Sequence, residues 1–368
     1  MNSDNFAITD SPADITPFDP TLKWSPDLVD YSRHPAYRGE IAGASAGLKG
    51  KALLQFTKSM LPLLVKRAIR YEMIPVEIRS PKTAGDFIKL LGAAGRNALG
   101  LHAKMPLDSA AQPVFDVLDR DGCCVVKMDE HCYEGLHSIS RVHFARLEER
   151  RAATAKGDRD FDESRSNVDA REHGNDLYDE LNRLLEESGI LAAASRYLGR
   201  KARLIDVNPQ INDASDSFWR TIFPDLEGAK LPASAYYHRD ASGGDLKAIF
   251  YMTDVGPENG PFSYVVGSNK LSMSRLDDLI AEANDHNGLS STNPDARRRF
   301  AALPAKLRQK GAFGNDLEDD AQLAEQIRKG VWSITGPKGS IVLFDTKGVH
   351  RGGMVVEGHR YVITTVIG

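Results

Sequence analysis

The chain has 368 residues, enough for one large domain with additions or for two modest ones. An apolar share of 41% is ample for a buried core, and a net charge of −4 gives no electrostatic case for a nucleic-acid partner. Three cysteines, Cys123, Cys124 and Cys132, form neither a disulfide framework nor a zinc-ligand spacing, which fits a reducing, cytoplasmic setting.

The opening segment MNSDNFAITDSPADITPFDP lacks the basic and apolar regions of a signal peptide, and no apolar run reaches the length of a membrane span. Residues 1–45 are rich in Pro, Asp and Ser and read as an extended or loosely packed arm. Residues 46–72 read as a basic amphipathic helix that Pro62 breaks or kinks. Such a helix can lie on an anionic membrane surface, although a solvated basic face is the ordinary reading. A second helix is expected from about Ala84 to Leu99. Residues 1–110 thus form an arm and a helical region of unassigned role, with a docking module as one reading.

A new unit, 111–368, begins with a short helix around Phe115–Leu118, a turn at Asp121-Gly122 and a buried strand at Cys123–Val126. Residues 133–150 read as helix, and the charged stretch 147–175 as a surface segment or a lid. Residues 176–198 read as one amphipathic helix. From Ala202 onward, short strands divided by Gly, Pro and Asn point to a mainly β double sheet, a jelly roll, with flanking helices. A helical, charged insertion at about 271–330 interrupts them. Its place between two strands makes it a second candidate lid, or an ornament at a dimer contact.

Two short motifs carry the chemistry. In SAYYHRD, His238 and Asp240 leave one face of a strand together with Tyr236. In IVLFDTKGVHRGG, His350 follows an apolar strand, and Arg360 opens another apolar strand ten residues beyond it. Two imidazoles and one carboxylate suit a facial iron(II) site with open positions. A guanidinium at Arg360 can hold a carboxylate through two parallel hydrogen bonds, or can pair with Glu357 or Asp345. His359 alternates to the opposite face and reads as structural. Arg351 is a candidate substrate contact or partner of Asp345, and Trp219 a candidate cleft residue.

His238-x-Asp240, the run LKAIFYMTDV at 246–255, Glu258-Asn259-Gly260-Pro261-Phe262, Val265-Val266-Gly267-Ser268-Asn269, Phe344-Asp345-Thr346, His350-Arg351-Gly352 and Arg360 together resemble the phytanoyl-CoA dioxygenase family. The resemblance covers roughly 115–368. It implies iron(II), 2-oxoglutarate and O2 on a double-stranded β-helix, with His238, Asp240 and His350 as metal ligands. It implies Arg360 as the anchor for the far carboxylate of 2-oxoglutarate. Asn208, Gln210 and Asn212 are candidates for the other end of that cosubstrate, as amides are in similar enzymes, and Lys247 is a further candidate contact or a salt-bridged lysine. The chain departs from the family at Asn269, where His is common, and at Gly352, where a hydroxyl residue often helps hold 2-oxoglutarate. Related halogenases lack the acid, so Asp240 favours hydroxylation, or another oxidative step such as desaturation, over halogenation; the expected substrate is a small-molecule or lipid-like one. A non-oxidative reading, a cupin-like binder or a zinc enzyme with the same ligands, stays open from ligand types alone. Nothing in the sequence selects the substrate or the oligomeric state.

Overall fold

The computed structural model describes residues 5–22, 46–69, 74, 80–99, 105–154, 174–214, 237–240, 245–271, 279–280, 283, 302–308, 317 and 321–368. Its centre is a pair of antiparallel sheets. The larger contains β1 (Phe6–Thr9), β2 (Cys123–Met128), β3 (Leu204–Asp213), β4 (Leu246–Tyr251), β7 (Ser340–Asp345) and β9 (His359–Ile367), in the order β1-β2-β7-β4-β9-β3. The smaller has β5 (Phe262–Val265) between β6 (Val331–Ile334) and β8 (His350–Arg351). All the strand pairs among the described residues are antiparallel.

Side-chain alternation explains why two sheets form. On β4, Leu246, Ala248 and Phe250 face one core, while Ile249 and Tyr251 face another. On β7, Ile341 and Leu343 join the first core, and Val342 and Phe344 the second. The first core is closed by helices α3 (Ala111–Asp121), α4 (Glu130–Thr154), α5 (Asp176–Glu187) and α6 (Ile190–Leu198). The second lies between the sheets, where Tyr251, Val342 and Phe344 meet Phe262, Tyr264, Trp332 and Ile334. This is the jelly-roll arrangement that the strand pattern predicts, with both faces of the larger sheet buried.

Several elements differ from the sequence expectation. The N-terminal arm is extended but not loose over its described part. Phe6–Thr9 pairs with β2, Thr16 and Phe18 donate backbone hydrogen bonds to Lys329 and Val266, and the Phe18 side chain is buried. Pro62 does not break α1 (Ala46–Ala68), which runs through it. The loss of one hydrogen bond there is tolerated at an exposed position. The helix expected over 176–198 is two helices, because Gly189 takes a φ of 75° that no helix interior accommodates. Over its described residues, 237–240, the HxD segment makes no strand ladder. Tyr237 and His238 instead form isolated bridges to Leu317 and His350. Helix α2 (Ala84–Ala98) matches its expected span closely. Of the charged stretch 147–175, residues 147–154 continue α4, and 155–173 lie outside the described residues. Most of the insertion also lies outside them, so neither lid expectation is addressed.

The turn before His350 depends on a close approach. A Cβ on Gly348 would sit 1.7 Å from the hydroxyl of Tyr264, which is fully buried. Backbone around Gly348 or the Tyr264 ring would have to move. Gly348→Ala is therefore expected to destabilise the protein by about 1–3 kcal/mol or more, as overpacking of a tight core does. A lowered urea midpoint checks this, and an unchanged midpoint would contradict the packing described.

Candidate metal centre

Backbone pairing builds the site before any side chain is considered. The His238 N–H donates to the His350 carbonyl, and the His350 N–H donates to the His238 carbonyl, each at 2.9 Å. Two further hydrogen bonds hold the flanks, Asp240 N–H to Thr346 carbonyl at 2.9 Å and Gly348 N–H to Asp345 carbonyl at 3.0 Å. The imidazole centroids of His238 and His350 stand 4.5 Å apart. His238 Nε2 lies 3.7 Å from Asp240 Oδ1, and His350 Nε2 lies 3.8 Å from Asp240 Oδ2. One ligand atom from each of the three residues falls within 4.8 Å of the other two. These are the two imidazoles and one carboxylate expected to converge, and they do.

The ring of His350 is set by its neighbours. Its Nδ1 lies 2.9 Å from the Gly348 carbonyl, so Nδ1 carries the proton and Nε2 is free to face the carboxylate and a metal. Phe344 and Phe262 stand 5.1 and 5.7 Å from the ring, centroid to centroid. Burial pushes the His350 imidazole down to about 3, with repulsion from His238 in the same direction and attraction to Asp240 against it. For Asp240, burial would raise the carboxyl, but Lys247, His350 and His238 together hold it well below the usual carboxylate range. Lys247 reaches it directly, with Nζ 2.6 Å from Oδ2. The salt-bridged alternative for Lys247 is therefore the observed one, and its partner is the expected metal ligand itself.

Arg360 lies on the same face of β9 as Val362, toward the space between the sheets. It is only 8% exposed, and its Nε has no hydrogen-bond partner among the described residues. Burial lowers its tendency to hold a proton, and the field of Tyr251 opposes that. The structural acids that could have paired with it are placed otherwise. Asp345 accepts from the Tyr197 hydroxyl at 2.7 Å and from the Lys347 N–H at 2.9 Å, and Glu357 is exposed. Asn212 is the cross-strand neighbour of Arg360, beside the residue expected at the far carboxylate rather than at the other end of the cosubstrate, and its Nδ2 is likewise buried without a partner among the described residues. Gln210 and Asn208 follow along the same face of β3, opposite Val362 and Thr364. Of these two, Asn208 is engaged with Asp206 at 2.6 Å.

The remaining expected residues divide. Arg351 stacks its guanidinium over the Tyr237 ring at 4.2 Å. His359 is exposed. Tyr236 and Trp219 lie outside the described residues. The family departure at Asn269 has a structural role, since its Nδ2 donates to the Asp119 carbonyl at 3.3 Å and to the Tyr197 hydroxyl at 3.2 Å. Sequence reasoning missed Thr346, Phe344 and Phe262 as site-forming residues. Phe262, Phe344 and Thr346 all stand in the family-like motifs, but their residue types alone mark them as core or turn positions.

A model of the family described as phytanoyl-CoA dioxygenase (PhyH) matches residues 118–357. No curated relative matches the chain. Among solved structures, AviO1 from Streptomyces viridochromogenes Tue57 is 16% identical over 72% of this chain and 96% of that one, with a TM-score of 0.39. EctD from S. alaskensis, solved with 2-oxoglutarate and 5-hydroxyectoine, is 14% identical over 73% of this chain and 79% of that one, with a TM-score of 0.41. HygX from Streptomyces hygroscopicus, solved with nickel and 2-oxoglutarate, is 16% identical over 72% and 88%, with a TM-score of 0.39. Likeness at that level transfers nothing to this chain, and the family match alone decides its assignment.

The burial of His350 has a measurable consequence. An unfolded chain protonates this imidazole near about 6.5, whereas the folded protein resists until about 3. The unfolded state binds more protons between those values, so stability falls as pH drops through that window. Asp240 is ionised in both states above about pH 5, given its ordinary value near 3.9, and adds nothing there. The urea midpoint of the metal-free protein should therefore fall between about pH 7.5 and 5, and His350→Gln should flatten that fall. Equal slopes in the two proteins would mean that the imidazole is not held neutral by burial. The match over residues 118–357, more than half of the sequence, shows that the chain belongs to the phytanoyl-CoA dioxygenase family.

Proposed function

We propose that the chain is an iron(II)- and 2-oxoglutarate-dependent dioxygenase that hydroxylates a small-molecule or lipid-like substrate. Iron(II) with 2-oxoglutarate and O2 supplies oxidation of a substrate C–H bond coupled to release of succinate and CO2. His238 and His350 would hold the metal through Nε2, and Asp240 through a carboxylate oxygen. Gly348 fixes the His350 tautomer, and Lys247 keeps Asp240 ionised and ready to ligate. Phe262 and Phe344 give the His350 side of the site an apolar wall that excludes water.

The observation that carries this reading is Arg360. A buried guanidinium without a partner is costly, of order several kcal/mol, unless a ligand supplies the missing anion. Its fork suits a carboxylate, and the unsatisfied Asn212 amide beside it supplies another donor. Gln210 is the next polar group along that face. A plain metal binder or zinc enzyme gives this pair nothing to do, and a dicarboxylate cosubstrate does.

Arg360→Lys keeps a positive charge and loses the fork. The half-saturating 2-oxoglutarate concentration for succinate release should rise by about 10- to 100-fold, equivalent to about 1.4–2.7 kcal/mol. An unchanged cosubstrate dependence in that variant would remove Arg360 from the proposed role.

A further inference from the structure

Helix α1 is apolar on two faces, and only one of them is buried. Ala52, Phe56 and Leu63 pack against Leu279, Ile280, Ala283, Ala302 and Leu303 of the insertion. At 3.6 residues per turn, Leu53, Leu64, Leu61, Leu54 and Val65 fall on a separate arc of roughly 120°. All five are exposed, with Leu61 at 67%, Leu54 at 57% and Val65 at 55%. Helix α2 repeats the pattern, since Phe87, Ile88 and Leu91 are exposed while Ala93 and Ala94 are buried with Ile74. Single exposed leucines are ordinary, but five large apolar side chains on one arc, interrupted only by Gly50 and Thr57, mark an interaction surface.

Charge identifies the partner. The α1 sequence holds Lys49, Lys51, Lys58, Lys66 and Arg67 and not one acid, in a chain whose net charge is −4. Lys51 and Lys58 are exposed and, by the helical rotation, border the apolar arc. We infer that α1 docks on an anionic lipid surface, with the Leu53–Val65 arc in the headgroup boundary and the lysines on lipid phosphates. An apolar stripe edged by lysines is the chemistry of a helix lying in a bilayer interface, because the long side chains keep their charge at headgroup level. Crossing the bilayer is a different matter, as no helix among the described residues is long and apolar enough for it. A second copy of the chain fits less well, because two-fold pairing of this face would bring the same lysine edge together from both partners. The insertion that buries the other side of α1 also pairs Leu317 with Tyr237, the neighbour of His238.

The test is flotation of the full-length protein with phosphatidylcholine vesicles, with and without phosphatidylglycerol. Binding should be at least about tenfold tighter to the phosphatidylglycerol vesicles and should weaken with salt. The triple variant L54S/L61S/V65S should lose about tenfold or more, with wild-type circular dichroism and thermal midpoint. Leu61→Trp, whose fold can be checked separately, should shift its emission to the blue on adding the same vesicles. Absence of wild-type binding, equal binding by the triple variant, or an unshifted Leu61→Trp emission would each overturn the proposal. So would a dimer in sedimentation equilibrium that the triple variant abolishes and vesicles fail to displace, which would assign the face to a second copy.

Discussion

The reciprocal pair of backbone hydrogen bonds between His238 and His350 is the constraint on which the metal centre depends. These residues come from distant parts of the chain, and neither lies within a long strand. Two N–H to carbonyl contacts fix their relative height and direction. The imidazoles are then neighbours by geometry, and Asp240 is delivered beside them by its own bond to Thr346. Each such bond adds only about 1 kcal/mol net to stability. Their larger effect is on position, because a metal site tolerates displacements of only a few tenths of an ångström.

Around that pair the protein keeps charges where burial opposes them. Asp240 stays ionised because the adjacent Lys247 ammonium opposes its burial, and His350 stays neutral because burial dominates there. Arg360 is the unbalanced member, since it is buried and lacks an internal counter-charge among the described residues. Local strain of this kind is retained at functional sites, where a ligand completes the balance. The inter-sheet face therefore combines an apolar core, formed by Val342, Phe344 and Phe262, with polar groups that the fold leaves unsatisfied.

Much of this was legible in the residues. Alternation along 246–251, 340–345 and 359–367 already separated two faces, and it placed Lys247 and Arg360 on one of them. The spacing of His238 and Asp240 implied a shared direction, which the structure keeps although the segment is bridged rather than laddered. Other features were not legible because they are set by distant partners. Phe6–Thr9 is too short and polar in its surroundings to announce a strand, and it exists because the edge of β2 offers hydrogen bonds. The split at Gly189 was hidden by leucines whose period survives the break.

Under the proposed function, His238, Asp240, His350 and Arg360 serve one iron and one 2-oxoglutarate together. Anaerobic titration of the metal-free protein with iron(II) and then 2-oxoglutarate tests it without knowledge of the substrate. The expected result is a weak visible charge-transfer band that needs both additions, saturates at one equivalent of each, and is lost in His238→Ala. Tight metal binding with no band on adding 2-oxoglutarate would contradict it and favour a metal site of another kind.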